Sequence, residues 1–252
     1  GRSRNGMVSG MYSQKYGMQI NADLKFAQVP AQHKTLPETM REAGYRTALV
    51  GKWHVCRDAN VVFDEVYDRI DISSNYFPDS TGVYDGPRLP ILAVKESTYE
   101  NEYMTDKLTS HAIQFMNKQS NATPFFLYLG YNAVHNPWQA EKKYYDRLSN
   151  IKDEYMRVQA SLIACADENI GILLNYLENR KLIDNTIIVF VSDNGPAKGG
   201  PELKTWEGYD PSFEYVFGQM KTLRGHKVDL YEGGIRTPMI IAYKPLLREG
   251  KE

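Results

Sequence analysis

Short apolar runs, each cut off at once by unusual polar residues, constrain this chain more than any other feature. Residues 45–50 read as an apolar strand stopped by Gly51, and Lys52-Trp53-His54 follow directly. Residues 124–131, Pro-Phe-Phe-Leu-Tyr-Leu-Gly-Tyr, form a second run and lead into Asn132-Ala133-Val134-His135-Asn136-Pro137. Residues 186–191, Thr-Ile-Ile-Val-Phe-Val, form a third and lead into Ser192-Asp193-Asn194-Gly195-Pro196. Residues 238–243 form a fourth. The runs are continuously apolar rather than alternating, as strands are when helices cover both faces of a sheet.

Helical patterns lie between them. Thr35-Leu36-Pro37-Glu38 reads as a capping box with an early proline, which predicts a helix to about Ala43 ended by Gly44. Tyr103, Leu108, Ile113 and Phe115 recur at helical spacing within residues 98–118. Residues 152–180 predict a long helix, with Met156, Leu162, Ile163, Ile170, Leu173 and Leu177 along it. Residues 57–97 carry many turn formers and predict an irregular excursion with one or two strands. Strands alternating with helices predict an α/β fold with a mostly parallel central sheet flanked by helices. Ligands in such folds bind beyond the carboxyl ends of the strands, which would place all three polar clusters on one rim.

The chain has 252 residues, room for one large domain or two small ones. With 30 Lys+Arg against 31 Asp+Glu, its charge of −1 argues against nucleic-acid binding by bulk positive charge. No apolar run approaches the ~18 residues of a membrane span. Cys56 and Cys165 are too few for a disulfide scaffold or a Cys-rich zinc site, and read as two buried free thiols. The chain opens at Gly1-Arg2-Ser3-Arg4 with neither initiator Met nor signal peptide, and closes on a polar run after the fourth strand. Both ends look cut, so a longer protein is expected. Asn121-Ala122-Thr123 is a glycosylation sequon, though Pro124 follows it.

Taken singly, each polar cluster has an ordinary reading beside a functional one. Asp193-Asn194-Gly195 after a strand makes a turn, or supplies a carboxylate and an amide carbonyl to Ca²⁺ or Mg²⁺. Lys52 is a solvated loop lysine, or a point charge that clamps an anion. His54 and His135 are structural histidines, or proton carriers near neutral pH. Arg4 reads as part of a frayed terminus or as a site residue. His33, His111 and His226 lack a comparable setting and read as structural. Gly233-Gly234 marks tight backbone, since the wider G-x-G-x-x-G context is absent. The 18 tyrosines suit core and rim packing better than sugar stacking. A rim that gathers lysines, histidines, an Asp-Asn pair and an arginine suits an anionic tetrahedral substrate beside a hard metal ion.

Together the motifs resemble the sulfatase family of the alkaline-phosphatase-like superfamily. Gly44-Tyr45-Arg46-Thr47-Ala48-Leu49-Val50-Gly51-Lys52-Trp53-His54 is similar to the family's second signature almost position for position. Val134-His135-Asn136-Pro137 resembles its His-x-Pro segment, and Ser192-Asp193-Asn194-Gly195-Pro196 its metal motif. Leu223-Arg224-Gly225-His226-Lys227 with Tyr231-Glu232-Gly233-Gly234-Ile235-Arg236 resembles its late substrate-lysine region. Ser3-Arg4 followed by a helix to Tyr12 is similar to the tail of the first signature, which makes Arg4 the signature arginine. On that alignment residues 1–252 are a partial sulfatase catalytic domain. The nucleophile stands one residue before Gly1, and the first strand and a C-terminal subdomain are missing, so the chain alone is expected to be inactive. The family has Pro, sometimes Ala, where this chain has Arg2, within the sequence that directs conversion of the nucleophile to formylglycine. Residues 198–220 form a long insertion that suits a specificity loop.

The resemblance implies a formylglycine nucleophile with Ca²⁺, or Mg²⁺ in its place, and a sulfate ester substrate, a sulfated sugar above all. Asp193 and Asn194 would bind the metal, and Lys52 and Lys227 the sulfate oxygens. Arg4 would orient the nucleophile, His135 would protonate the leaving alcohol, and His54 would help release sulfate. It implies an extracytoplasmic location: periplasmic, secreted or lysosomal. Two alternatives stand beside it. One is a phosphodiesterase or phosphonate monoester hydrolase of the same superfamily. The other is an inactive relative that binds sulfated glycans.

Overall fold

A computed structural model of the chain describes residues 1–19, 27–72, 74–77, 92–98, 102–120, 122–198 and 222–247. Asn121 of the sequon and nearly all of the insertion at 198–220 lie outside the described residues. The chain divides into two compact units, Gly1–Ile170 and Gly171–Glu252.

The first unit opens with α1 (Arg2–Ser9), closed by Gly10 in the left-handed conformation at φ 66°. Helix α2 (Leu36–Glu42) starts as expected: the Thr35 amide and hydroxyl both donate to Glu38 Oε2, at 2.9 and 2.7 Å. The chain then enters β1 (Arg46–Lys52), α3 (Ala59–Val62) and β2 (Glu65–Ile70). Next come β3 (Leu92–Lys95), α4 (Met104–Asn117), β4 (Phe125–Gly130), β5 (Trp138–Glu141) and α5 (Lys142–Arg147). Helix α6 (Glu154–Asn179) begins in this unit. The main sheet has the order β2-β1-β4, all parallel; β1 and β4 are two of the apolar runs, and β2 lies in the stretch 57–97 where one or two strands were expected. Strands β3 and β5 make a second, two-stranded parallel sheet that the sequence did not announce.

Strand β1 is the pivot of this unit. From Thr47 to Lys52 every residue is buried. Its far end is pinned by Asp64, which accepts from the Thr47 amide and hydroxyl at 2.8 and 3.0 Å. Leu49, Trp53, Val55 and Phe63 pack with Val8 of α1 into one apolar cluster. Trp53 stands edge-on to Phe63 and Tyr128, with centroids 5.1 and 5.5 Å away, and its indole N–H donates to the Arg57 carbonyl. It is a core residue, held by area and ring geometry together. Cys56 and Cys165 are both buried thiols rather than disulfide partners.

The second unit holds β6 (Ile188–Val191), α7 (Glu232–Ile235) and β7 (Met239–Ala242). Here one expectation is corrected. Strand β7 pairs antiparallel with β6 in a sheet of their own, so the fourth apolar run does not extend a parallel sheet. The reason lies in the connection. The Ser192 amide bonds the Pro238 carbonyl at 3.3 Å, so the chain re-enters at the end where it left β6 and must run back along it.

Candidate active site

Two glycines shape the carboxyl edge of the main sheet. Gly51 of β1 pairs with Gly130 of β4. A Cβ on Gly51, whose φ is +85°, would stand 2.5 Å from the Gly130 carbonyl oxygen, and one on Gly130 would stand 2.3 Å from that of Lys52. Only hydrogen fits on either side. The pairing brings Lys52 at the end of β1, and the segments after β1 and β4 that carry His54 and His135, out at the same edge.

Lys52 and His54 are 3% and 7% exposed. His54 has φ 51°, a left-handed conformation rare outside glycine. Asn5 of α1, fully buried, braces that bend: its Oδ1 accepts from the Cys56 amide at 2.8 Å, and its Nδ2 reaches the His54 carbonyl at 3.4 Å. Burial pushes the His54 imidazole well below its ordinary value, assisted by the positive charges of Lys52, Arg4 and His135. Those charges act together on one ring, so Arg4, Lys52, His54 and His135 share a single electropositive neighbourhood. His54 is therefore neutral at pH 7.

His135 sits in the loop after β4, where its amide bonds the Asn132 carbonyl at 2.8 Å. Its Nδ1 lies 2.8 Å from the Asn136 carbonyl oxygen. A carbonyl only accepts, so Nδ1 carries the hydrogen.

In the second unit, Asp193 and Asn194 follow β6, and Lys227 lies in a loop stitched to theirs. The Lys227 amide bonds the Pro196 carbonyl at 2.7 Å, Gly195 bonds the Gly234 carbonyl at 3.0 Å, and Gly233 that of Arg224 at 2.7 Å. A Cβ on Gly195 would lie 1.8 Å from the Gly233 oxygen, and one on Gly233 2.1 Å from that of Gly225. Gly233-Gly234 is therefore tight backbone, as its sequence suggested. Asn194 Nδ2 donates to the Gly195 carbonyl at 2.8 Å, which makes Oδ1 the atom a cation would use.

The candidates thus fall in two groups: Arg4, Lys52, His54 and His135 in the first unit, and Asp193, Asn194 and Lys227 in the second. The other three histidines serve local structure. His33 meets the Ser9 carbonyl, His111 pairs with Asp68, and His226 bonds Asp229 through its amide and ring at 2.9 and 3.1 Å. Sequence reasoning missed Asn5, because its partners His54 and Cys56 lie about fifty positions away and leave no local pattern.

Parallel strands flanked by helices, with the candidate residues just past the carboxyl ends of β1 and β4, define an α/β fold of the alkaline-phosphatase-like kind. The sulfatase family model matches the chain over residues 1–252, and the chain belongs to that family. It is 30% identical to arylsulfatase J of Mus musculus over 273 residues, covering 98% of this chain and 40% of that protein. It is 25% identical to an N-acetylgalactosamine-6-O-sulfatase of Bacteroides thetaiotaomicron, covering 99% of this chain and 59% of that protein. The crystal structure of Ps i-CgsB in complex with k-i-k-neocarrahexaose is similar with a TM-score of 0.75 and 29% identity, over 96% of this chain and 55% of that one. The chain spans about half the length of these relatives. Among the described residues no helix is long and apolar enough to cross a membrane.

Proposed function

We propose that the protein carrying this chain hydrolyses an organic sulfate ester, with a sulfated saccharide as substrate, and works outside the cytoplasm. Residues 1–252 are read as part of one catalytic domain. The observation that supports this most is the gathering of Arg4, Lys52, His54 and His135 in one electropositive neighbourhood, in a chain that the sulfatase model matches from end to end. The saccharide rests on the relatives, one named for N-acetylgalactosamine 6-sulfate chemistry and one solved with a neocarrahexaose.

Formylglycine at the residue preceding Gly1, with Ca²⁺, would supply the nucleophile and offset anionic charge. The Asp193 carboxylate and Asn194 Oδ1 are hard oxygen donors that fit such a cation. Two donors fall short of the six to eight that Ca²⁺ takes, so other oxygens complete the sphere. Among the described residues no group of three or more His, Cys, Asp and Glu stands together to do so. Lys52 and Lys227 place ammonium charge against sulfate oxygens, where negative charge grows as the bond to the alcohol breaks. Arg4 orients the nucleophile's hydroxyl. His135, protonated at Nε2, gives that proton to the departing alcohol oxygen. Neutral His54 would accept a hydrogen bond from the nucleophile's second hydroxyl and would serve as its base on release of sulfate, once bound anion has offset the cations around it.

Turnover of an aryl sulfate and an aryl phosphodiester, measured side by side on the full-length protein, tests the reaction class. Preference for the sulfate is expected, and preference for the diester would hand the site to a phosphate-type hydrolase. Lys52→Ala and Lys227→Ala are each expected to lower sulfate turnover by about a hundredfold or more with little change in Tm. Unchanged kinetics in both variants would remove the roles assigned here.

One observation favours the glycan-binding alternative. Arg2 occupies the first position of α1, where proline is preorganised for a helix start. The helix forms with arginine there, so its consequence falls on recognition by the modifying enzyme rather than on the fold. Tandem mass spectrometry of the peptide spanning the residue before Gly1 decides it. Formylglycine supports the hydrolase, and unmodified Cys or Ser supports a binder.

A further inference from the structure

We propose that Tyr76 is a positioning residue for His135, its hydroxyl fixing the loop that carries the imidazole. The inference rests on the reading of His135 as the acid that protonates the leaving alcohol.

A loop side chain must be held within about half an ångström to transfer a proton well, and that takes support from outside the loop. Two of the bonds at His135, from its amide to Asn132 and from Nδ1 to Asn136, are local and would move with the loop. Tyr76 supplies a bond from a distant segment: its hydroxyl donates to the His135 carbonyl at 3.1 Å, across 59 residues of sequence. Next to it, Asn132 Nδ2 donates to the Ser74 carbonyl at 3.1 Å, so residues 74–77 grip the loop twice.

Tyr76 is itself held on every side. It is 0% exposed. Its amide donates to Gln139 Oε1 at 2.9 Å, and its carbonyl accepts from the Met104 amide at the start of α4 at 2.8 Å. Its ring stacks on Tyr103 at 5.4 Å between centroids, and the Tyr103 hydroxyl bonds the Gln139 carbonyl at 2.8 Å. Gln139 completes the layer by donating to Asn75 Oδ1 at 3.2 Å. A tyrosine this deep needs an acceptor for its hydroxyl, and phenylalanine would fill the same space without one. Burial keeps the phenol far above its ordinary pKa, so it remains a donor throughout the working range.

The test compares kcat/KM for two sulfate esters on the full-length protein, because that constant reports the steps up to cleavage of the S–O bond. A 4-nitrophenyl ester expels a stable anion and needs little help, whereas a sugar sulfate expels an alkoxide and needs the acid. Tyr76→Phe is expected to lower kcat/KM for the sugar ester about tenfold, a fraction of what a full acid supplies, and to change the aryl ester far less. Tyr103→Phe removes a neighbouring bond from the same layer and is expected to leave the ratio of the two constants unchanged. Thermal unfolding of both variants reports the stability lost by each. If Tyr76→Phe lowers both constants alike, or moves only the Tm, Tyr76 is a packing residue and the proposal fails. His135→Ala separates this from failure of the underlying reading. If it too leaves the ratio untouched, His135 is not the acid, and the role of Tyr76 falls with it.

Discussion

The backbone amide of Lys227 donates to the carbonyl of Pro196 at 2.7 Å, which fastens the loop of a candidate sulfate-binding lysine to the loop that carries Asp193 and Asn194. Lys227 and Pro196 are 31 positions apart in sequence, yet their segments form one backbone unit. Glycines make this closeness feasible, because each replaces a Cβ that would overlap a neighbouring carbonyl.

Gly195→Ala is therefore expected to be severe. Its Cβ would stand 1.8 Å from the Gly233 oxygen, a backbone atom with no flexible side chain to give way. A loss of about 3 kcal/mol is expected from such overpacking. Urea unfolding measures it, and a change of less than about 0.5 kcal/mol, the scale of an ordinary surface substitution, would contradict the packing described.

His54 makes stability depend on pH in a definite direction. Burial holds its imidazole well below the 6.5 of the unfolded chain. Below 6.5 the unfolded chain takes up a proton that the fold refuses, so this contribution is fully present above 6.5 and is lost progressively as pH falls below it. His54→Gln should flatten the stability profile in that window by up to about 1.4 kcal/mol per pH unit. Inorganic sulfate, by offsetting the surrounding cations, should raise the imidazole pKa seen by NMR. An imidazole that titrates near 6.5 without sulfate would show that the ring is neither buried nor crowded by positive charge.

Asn5→Ala should cost about 2 kcal/mol, because it leaves the buried Cys56 amide without its acceptor and removes the brace on the His54 bend. Equilibrium unfolding checks this. A loss no larger than that of an exposed alanine substitution on α1 would show that the bend holds itself.

Val228 carries a φ of 79° in a turn closed by the Asp229 amide on the His226 carbonyl, with its side chain 81% exposed. A β-branched residue is strained there, and no burial offsets the strain. Val228→Gly should stabilise the protein by about 1 kcal/mol, despite the greater freedom of glycine in the unfolded chain. A destabilised variant in thermal unfolding would show that the turn draws on the valine side chain.

Much of the fold was legible in local pattern. The capping box at Thr35 and Glu38, the long helix ending at Asn179 and the apolar strands β1, β4 and β6 all fall where residue spacing placed them. Strand β5 was not legible. It is a four-residue strand fully buried against β3, and its Gln139 and Glu141 are polar residues satisfied inside the fold, so no apolar run marks it. Among the site residues, Lys52, His54, His135 and the Asp-Asn pair stood out as polar residues at the ends of apolar strands, while Lys227 lies in a cluster that precedes the fourth one. Asn5 and Tyr76 did not stand out, since each matters through a backbone atom more than fifty positions away.

The sequence by itself determined which segments become strands and helices and which residues are available for chemistry, because those depend on spacing and on neighbours within a turn or two. Tertiary structure decided how the strands pair and what state the residues adopt. It turned β7 antiparallel to β6, left His54 neutral in a left-handed bend, fixed the hydrogen of His135 on Nδ1 and put Trp53 in the core. Strand direction follows from where a connection returns, and protonation follows from burial and from charges brought in from distant segments. Both are sums over contacts between residues far apart in the chain, and local pattern carries no record of them.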